Sequence, residues 1–232
     1  MALSEGYEQY WSRVPVTHLQ GEWFALSRGF DLLHSPIQTQ LKRASDLLLA
    51  GGLLVCATPV MLLVALAVKL DSRGPILFKQ QRVGLYGVDF TCLKFRSMCV
   101  RQVTDDQGSK YTDKNDKRLT RLGGFLRKTR LDELPQLFNV LRGHMSFIGP
   151  RAEWNDLVRG YEHELPYYHL RHLVRPGLTG WAQVNYPYGA NLEDTRMKLE
   201  YDLYYIKFYS LYLDLVIVLR TVRVCLFGVG GR

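Results

Sequence analysis

From residue 47 to residue 68 the chain carries no charge and is dominated by apolar side chains. Lys42, Arg43 and Asp46 stand before this stretch, and Lys69, Asp71 and Arg73 after it. A straight helix of that length reaches roughly 33 Å, about one hydrocarbon thickness. The stretch starts too late for a secretory signal, and Glu5 and Glu8 occupy the region where a signal needs basic residues. Thr58-Pro59 falls at its midpoint. Proline lacks the backbone donor and crowds the preceding turn, so a bend is predicted there. Two readings fit. One is a kinked single span. The other is a re-entrant helix–break–helix that turns at Thr58-Pro59 and returns to its starting face, because basic flanks favour the cytoplasm. In the second, Thr58 is expected to satisfy the carbonyl that the proline releases.

The remaining pattern is mainly α with a small β element. Residues 76–78 and 88–98 read as strands joined across 84–87. Residues 119–128, 135–142 and 153–165 read as helices, the second stopped by Gly143. Residues 101–117 are polar and read as a loop, and 175–188 are rich in Gly and Pro and read the same way. Residues 193–227 read as one or two amphipathic helices. Their Tyr and Arg content suits a helix at the headgroup level, while a core-packing helix fits equally well. Trp11, Trp23, Phe24 and Phe30 make residues 1–40 an interfacial appendage. The expected organisation is a connector over 1–40, a membrane segment over 41–73 and a catalytic-size domain over 74–232.

Composition narrows the class. Apolar residues make up 47% and aromatics 12% of the chain, enough for a packed core and too much for a disordered or collagen-like one. Cys56, Cys92, Cys99 and Cys225 include no C-x-x-C pair, which argues against a zinc site or a disulfide framework and points to a reducing compartment. The formal charge is +8. Residues 1–40 hold more acids than bases, so the surplus belongs to the rest. It calls for an anionic partner: phospholipid headgroups, a phosphorylated substrate or nucleic acid.

The densest basic tract covers 114–130 and runs straight into Leu131-Asp132-Glu133-Leu134-Pro135. Two acids before a proline that starts a helix suit an anion-handling site at a helix N-terminus. The same residues also read as ordinary helix-capping acids beside solvated arginines. Gly149-Pro150-Arg151 and Arg175-Pro176-Gly177 combine a backbone open to close approach with a phosphate-gripping side chain. No phosphate-loop, dinucleotide-loop, serine-elbow or H-E-x-x-H motif is present. His169 and His172 read as surface or packing residues.

Six motifs in order make the chain resemble the bacterial sugar transferase family, the monotopic polyprenyl-phosphate phosphoglycosyl transferases. They are the basic-flanked apolar segment with Thr58-Pro59, the run Phe78-Lys79-Gln80-Gln81-Arg82-Val83-Gly84, Lys94-Phe95-Arg96-Ser97-Met98, Leu126-Arg127 with Leu131-Asp132-Glu133-Leu134-Pro135-Gln136, Met145-Ser146-Phe147-Ile148-Gly149-Pro150-Arg151, and Arg175-Pro176-Gly177-Leu178-Thr179-Gly180-Trp181. The resemblance runs from about residue 42 to residue 232. It departs from the family pattern at His144, usually Asp, and at Ala152, usually Pro. Residues 1–40 are similar to the connector that follows a transmembrane bundle and a soluble domain in large members, so a truncated form or a short natural form is expected.

The resemblance implies a monotopic membrane protein with a re-entrant anchor and interfacial helices, at the cytoplasmic face of the bacterial inner membrane. It implies transfer of a sugar-1-phosphate from a UDP-sugar to polyprenyl (undecaprenyl) phosphate, with release of UMP. Asp132 is the implied nucleophile, through an aspartyl-phosphosugar intermediate, and Glu133 the implied Mg²⁺ ligand, with Asp132 sharing the ion. Lys94, Arg96, Arg127, Arg151 and Arg175 are the candidates for phosphate contacts. The sugar stays open, as does the oligomeric state, a homo-oligomer being one option. The rival reading is a membrane-anchored basic binding module for anionic lipid or nucleic acid. The absence of aromatic-interleaved strand-binding motifs argues against nucleic acid.

Overall fold

The computed structural model describes residues 2–18, 29, 30, 33, 35–99, 118–187, 189 and 191–227. Twelve named elements position the site. Helix α1 (Ala2–Trp11) is followed by the long helix α2 (Pro36–Asp71), the hairpin β1 (Leu77–Val83) and β2 (Asp89–Phe95), α3 (Arg121–Thr129) and α4 (Gln136–Leu141). Strand β3 (Ser146–Ile148), α5 (Asn155–Glu164), β4 (Gly177–Thr179), α6 (Trp181–Asn185), α7 (Leu192–Lys207) and α8 (Leu211–Phe227) follow among the described residues. The predicted loop at 101–117, and Trp23 and Phe24, lie outside the described residues.

Helix α2 begins where Ser35 accepts a hydrogen bond from the Gln38 amide, with Pro36 in the first turn. Its 36 residues reach roughly 54 Å if straight. Only 17% of its most apolar stretch is buried, unlike a core helix of a soluble protein. Leu48, Val55, Leu62, Leu63, Leu66 and Leu70 are exposed. Lys42, Asp46, Ala50, Ala57, Val64 and Val68 form the buried side. The helix continues through Pro59 as a single element, so the break of the helix–break–helix reading is absent. The Thr58 hydroxyl donates to the Leu54 carbonyl at 2.7 Å. The proline releases the Val55 carbonyl, four residues before it. Thr58 therefore braces the turn without reaching the carbonyl it was expected to satisfy.

Both ends of α2 are fastened to the same globular body. At its N-terminal end, Arg43 donates to the Val140 and Leu141 carbonyls at the end of α4 (2.7 and 2.9 Å). Lys42 lies between Asp46 (2.7 Å) and Asp214 of α8 (3.1 Å). Asp46 also accepts from the Ser146 hydroxyl and the Phe147 amide. At the other end, the Arg96 guanidinium donates to the carbonyls of Val68, Ser72 and Pro75. Helix C-termini leave carbonyls unpaired, and a cation supplies the missing donors.

The hairpin is antiparallel, Phe78 opposite Lys94 and Arg82 opposite Phe90. Strands β3 and β4 pair in parallel, Ser146 with Gly177 and Ile148 with Thr179, inside stretches the sequence pattern left without strands. A side chain on Gly177 would place its Cβ 2.1 Å from the Gly149 amide nitrogen. These glycines thus serve backbone-to-backbone packing here, not the approach of a ligand. Helix α6 likewise occupies part of the predicted 175–188 loop.

Residues 193–227 form two helices, and α7 is a core helix. Its Leu199, Leu203, Tyr205 and Ile206 join Tyr168 and Ile217 in the largest apolar cluster. Val14, Val16 and Phe30 belong to that cluster too, so part of the N-terminal segment is built into the core. Trp181 donates from its indole to the Ser12 carbonyl, and Lys207 pairs with buried Glu8 at 2.8 Å. Along α8, Asp214 and Ile217 face inward, while Leu211, Tyr212, Leu215, Leu219 and Val222 are exposed.

Candidate active site

The acid pair owes its position to a change of helix type. Helix α3 starts at Thr120, whose hydroxyl accepts from the Gly123 amide, and ends at Arg130 in the left-handed region (φ 57°, ψ 16°). Leu131–Glu133 then form one 3₁₀ turn. The tighter turn separates the acids from both flanking helices. Leu134 is not pushed into extended geometry by the following proline; its φ and ψ are −52° and −37°. The amides of Leu137 and Phe138 already bond to the carbonyls of Leu134 and Pro135. The first turn of α4 therefore offers no row of unpaired donors to an anion, contrary to the helix-terminus reading.

Leu131 and Leu134 flank the two acids in this turn. Leu131 and Leu134 pack against the cluster that holds Val64 and Val68 of α2. Leu134 also borders the cluster containing Ala50 and Leu54. It thereby touches the apolar groups on both sides of Thr58-Pro59. The acids face the opposite way, towards β2 and Arg151. Lys94 Nζ lies 2.8 Å from Glu133 Oε1, and Arg151 Nη2 lies 3.5 Å from the same oxygen. Arg130 Nη1 approaches Oε2 at 3.7 Å. Asn139 fixes the β2 register beneath this group: it accepts from the Leu93 amide at 3.0 Å and donates to the Thr91 carbonyl at 2.7 Å.

Asp132 and Glu133 differ in environment. Asp132 is buried, and among the described residues its carboxylate accepts no hydrogen bond. Burial pushes its carboxyl above the usual range, Glu133 adds to that, and Lys94, Arg127 and Arg151 oppose it. Burial acts on Glu133 in the same sense, but Lys94, Arg151 and Arg130 outweigh it and hold its carboxyl far below the usual range. One acid is thus a fixed anion ringed by cations, and the other is a desolvated carboxylate with no committed partner. Desolvation without hydrogen bonding suits a nucleophile.

The candidate phosphate-binding residues divide into two groups. Lys94 and Arg151 meet at Glu133. Arg127 is anchored by its Nε to the Ser97 hydroxyl at 2.9 Å and adds positive potential at Asp132. Arg96 and Arg175 are employed elsewhere. Arg96 closes the end of α2, and Arg175 donates from Nε to the Gly143 carbonyl at 3.0 Å. Arg175 lines a separate cavity of about 100 Å³ at the base of α2 with Lys42, Arg43 and Tyr86. Local sequence could not separate the two groups, because the destination of an arginine depends on which chain ends pack beside it. Arg130, Ser97 and Asn139 join the site without having been singled out as site residues. The left-handed turn at Arg130 had no signal, since glycine or asparagine usually marks such a position.

The sequence profile described as bacterial sugar transferase matches residues 37–228. The chain belongs to the bacterial sugar transferase family. It is 46% identical over 220 residues, 95% of its length, to UDP-N-acetylgalactosamine-undecaprenyl-phosphate N-acetylgalactosaminephosphotransferase of Aeromonas hydrophila, and covers 50% of that protein. To UDP-glucose:undecaprenyl-phosphate glucose-1-phosphate transferase of Xanthomonas campestris pv. campestris it is 48% identical over 79% of this chain and 38% of the relative. It is 44% identical to exopolysaccharide production protein PSS of Rhizobium leguminosarum bv. phaseoli, over 78% of this chain and 93% of the relative. The chain thus spans half or less of the first two of these relatives.

The two departures from the family pattern sit close to this site's frame. Ala152 is buried among Phe90, Cys92 and Met145, and its carbonyl accepts from Arg82. His144 is exposed, its ring 6.0 Å from that of Phe90. His172 is buried, and burial with Arg171 lowers it to about 3, so it is a neutral packing residue. His169 is exposed.

No cluster of three His, Cys, Asp or Glu exists among the described residues. The unpartnered Asp132 carboxylate next to Glu133 still fits Mg²⁺, which commonly takes one or two carboxylates and completes its shell with water and substrate phosphate.

Proposed function

We propose that this chain transfers a sugar-1-phosphate from a UDP-sugar to undecaprenyl phosphate and releases UMP. The observation that carries the reading is the buried, unpartnered carboxylate of Asp132 beside a second acid held anionic by Lys94, Arg130 and Arg151. The names of the relatives support the donor and acceptor classes. Glucose and N-acetylgalactosamine are the first sugars to test.

The reaction needs two anions to meet. Two unit charges about 4 Å apart repel by roughly 4 kcal/mol at an effective dielectric of 20. Lys94, Arg127 and Arg151 lower that barrier by placing positive charge where the diphosphate must lie. An oxygen of Asp132 attacks the sugar-proximal phosphorus, the bond to the UMP oxygen breaks, and UMP leaves. That carboxyl oxygen of Asp132 then carries the phosphosugar as an acyl phosphate. An oxygen of the lipid phosphate attacks the same phosphorus and returns Asp132 to a carboxylate. Mg²⁺ held by Asp132 and Glu133 would neutralise diphosphate charge when bound.

Helix α2 is the proposed re-entrant anchor. Both of its ends are tied to one globular body, and its middle packs under the acid pair through Leu131 and Leu134. An anchor of this kind holds Asp132 at the headgroup plane of the cytoplasmic face, where the acceptor phosphate and cytosolic UDP-sugars meet. The exposed apolar side of α8 lies in the same interface.

The test is UMP release by purified protein with UDP-sugar, Mg²⁺ and undecaprenyl phosphate. The expected result is loss of turnover in Asp132→Asn and a phosphosugar adduct on Asp132 in the trapped enzyme. Wild-type turnover by Asp132→Asn overturns the assignment.

A further inference from the structure

Arg130 is a side chain in a backbone conformation that glycine adopts more easily. Its φ of 57° is left-handed, and no β-carbon is needed to end α3 there. The ion pair it makes does not repay that geometry. Its side chain is 45% exposed and its Nη1 lies 3.7 Å from Glu133 Oε2, a distance and exposure at which an ion pair adds little stability. Glu133 has, besides, a much closer cation in Lys94 at 2.8 Å. The turn is therefore held without any need for this side chain.

Charge suggests what the side chain is for. Lys94, Arg127, Arg130 and Arg151 surround Asp132 and Glu133, so the group carries more positive than negative charge before any ligand enters. A nucleoside diphosphate sugar brings a doubly anionic diphosphate. Guanidinium forks grip such oxygens in pairs. Arg130 approaches Glu133 at Oε2, whereas the recorded contacts of Lys94 and Arg151 are with Oε1.

Resting on the phosphoglycosyl-transfer reading, we infer that Arg130 is a donor-binding residue, whose guanidinium leaves Glu133 for the diphosphate of the incoming UDP-sugar. Its half-exposed position leaves it free to swing, and its loose contact with Glu133 leaves little to break.

The discriminating variant is Arg130→Gly, which removes the side chain and suits the backbone better. Its thermal unfolding temperature is expected to equal or exceed that of the wild type. Binding of UDP-sugar, measured by titration with Mg²⁺, is expected to weaken about tenfold, the loss of one charge-assisted contact. KM for the donor is expected to rise by a similar factor while KM for undecaprenyl phosphate stays put, and Arg130→Lys is expected to recover part of the donor affinity. Equal donor binding and equal donor KM in wild type and Arg130→Gly overturn the inference alone, provided the wild type releases UMP. A wild type that neither binds UDP-sugar nor releases UMP overturns the inference together with the reading beneath it. A fall in unfolding temperature with unchanged donor affinity also overturns it, since the side chain is then structural.

Discussion

Lys94 on β2 and Glu133 in the 3₁₀ turn meet at 2.8 Å, and neither is more than one-sixth exposed. This contact joins a strand to the turn that carries the acid pair, and it is the foremost of the cationic contacts that hold the Glu133 carboxyl low. The hairpin supplies Lys94 because Asn139 of α4 locks the strand on both sides of residue 92.

Lys94→Met is expected to lower both stability and activity. Removing a charge-assisted hydrogen bond from a buried carboxylate costs about 2 kcal/mol. The Glu133 carboxyl is depressed in the folded state, so its stabilising contribution is present above the unfolded carboxyl range and is lost as pH falls through the folded value. In Lys94→Met the folded carboxyl lies closer to its unfolded value, so the stability lost between neutral and acidic pH is expected to be smaller than in the wild type. Thermal melts of the two proteins between neutral and acidic pH check it, and parallel melting curves count against the contact.

Asp132 is expected to show the opposite sign. Burial raises its carboxyl, so the ionised form costs the folded state stability at neutral pH and that cost fades as pH falls. Asp132→Asn removes the charge at similar volume. It is expected to raise the unfolding temperature by a few degrees, as about 1 kcal/mol does in a domain of this size, while turnover vanishes. A lower unfolding temperature in the variant contradicts the burial argument. In the wild type, kcat is expected to fall on the acid side at a pH above the ordinary aspartate range, because the nucleophile must be ionised.

Arg96→Met is expected to fail as a fold variant and not as a binding variant. Its guanidinium holds carbonyls at the end of α2, and losing them leaves buried acceptors unpaired at about 1–3 kcal/mol each. Limited proteolysis near residue 72 is expected to accelerate, with donor KM unchanged in the protein that remains folded. A rise in donor KM without faster cleavage points instead to a phosphate contact.

Single cysteines at Leu41 and Leu70 are expected to react with an impermeant reagent from the same side of sealed vesicles. Both positions are exposed, at 50% and 78%, and neither takes part in the Lys42–Asp46–Asp214 network. Labelling from opposite sides excludes the re-entrant anchor.

The apolar run, its central proline, the hairpin, the helices at 121–129, 136–141 and 155–164 and the acid pair itself were all legible in the chain, because each is written in neighbouring residues: a run of one polarity, a turn, a stop signal. Tertiary structure alone decided that Lys94 and Arg151 share Glu133 while Arg96 and Arg175 serve backbone carbonyls, that Arg130 turns left-handed, and that β3 pairs with β4 across a helix and a long connection. Arginines and short strands take their meaning from partners distant in sequence. Which carbonyl, carboxylate or strand edge lies within 3 Å is set by how the elements pack, and no local pattern encodes that distance.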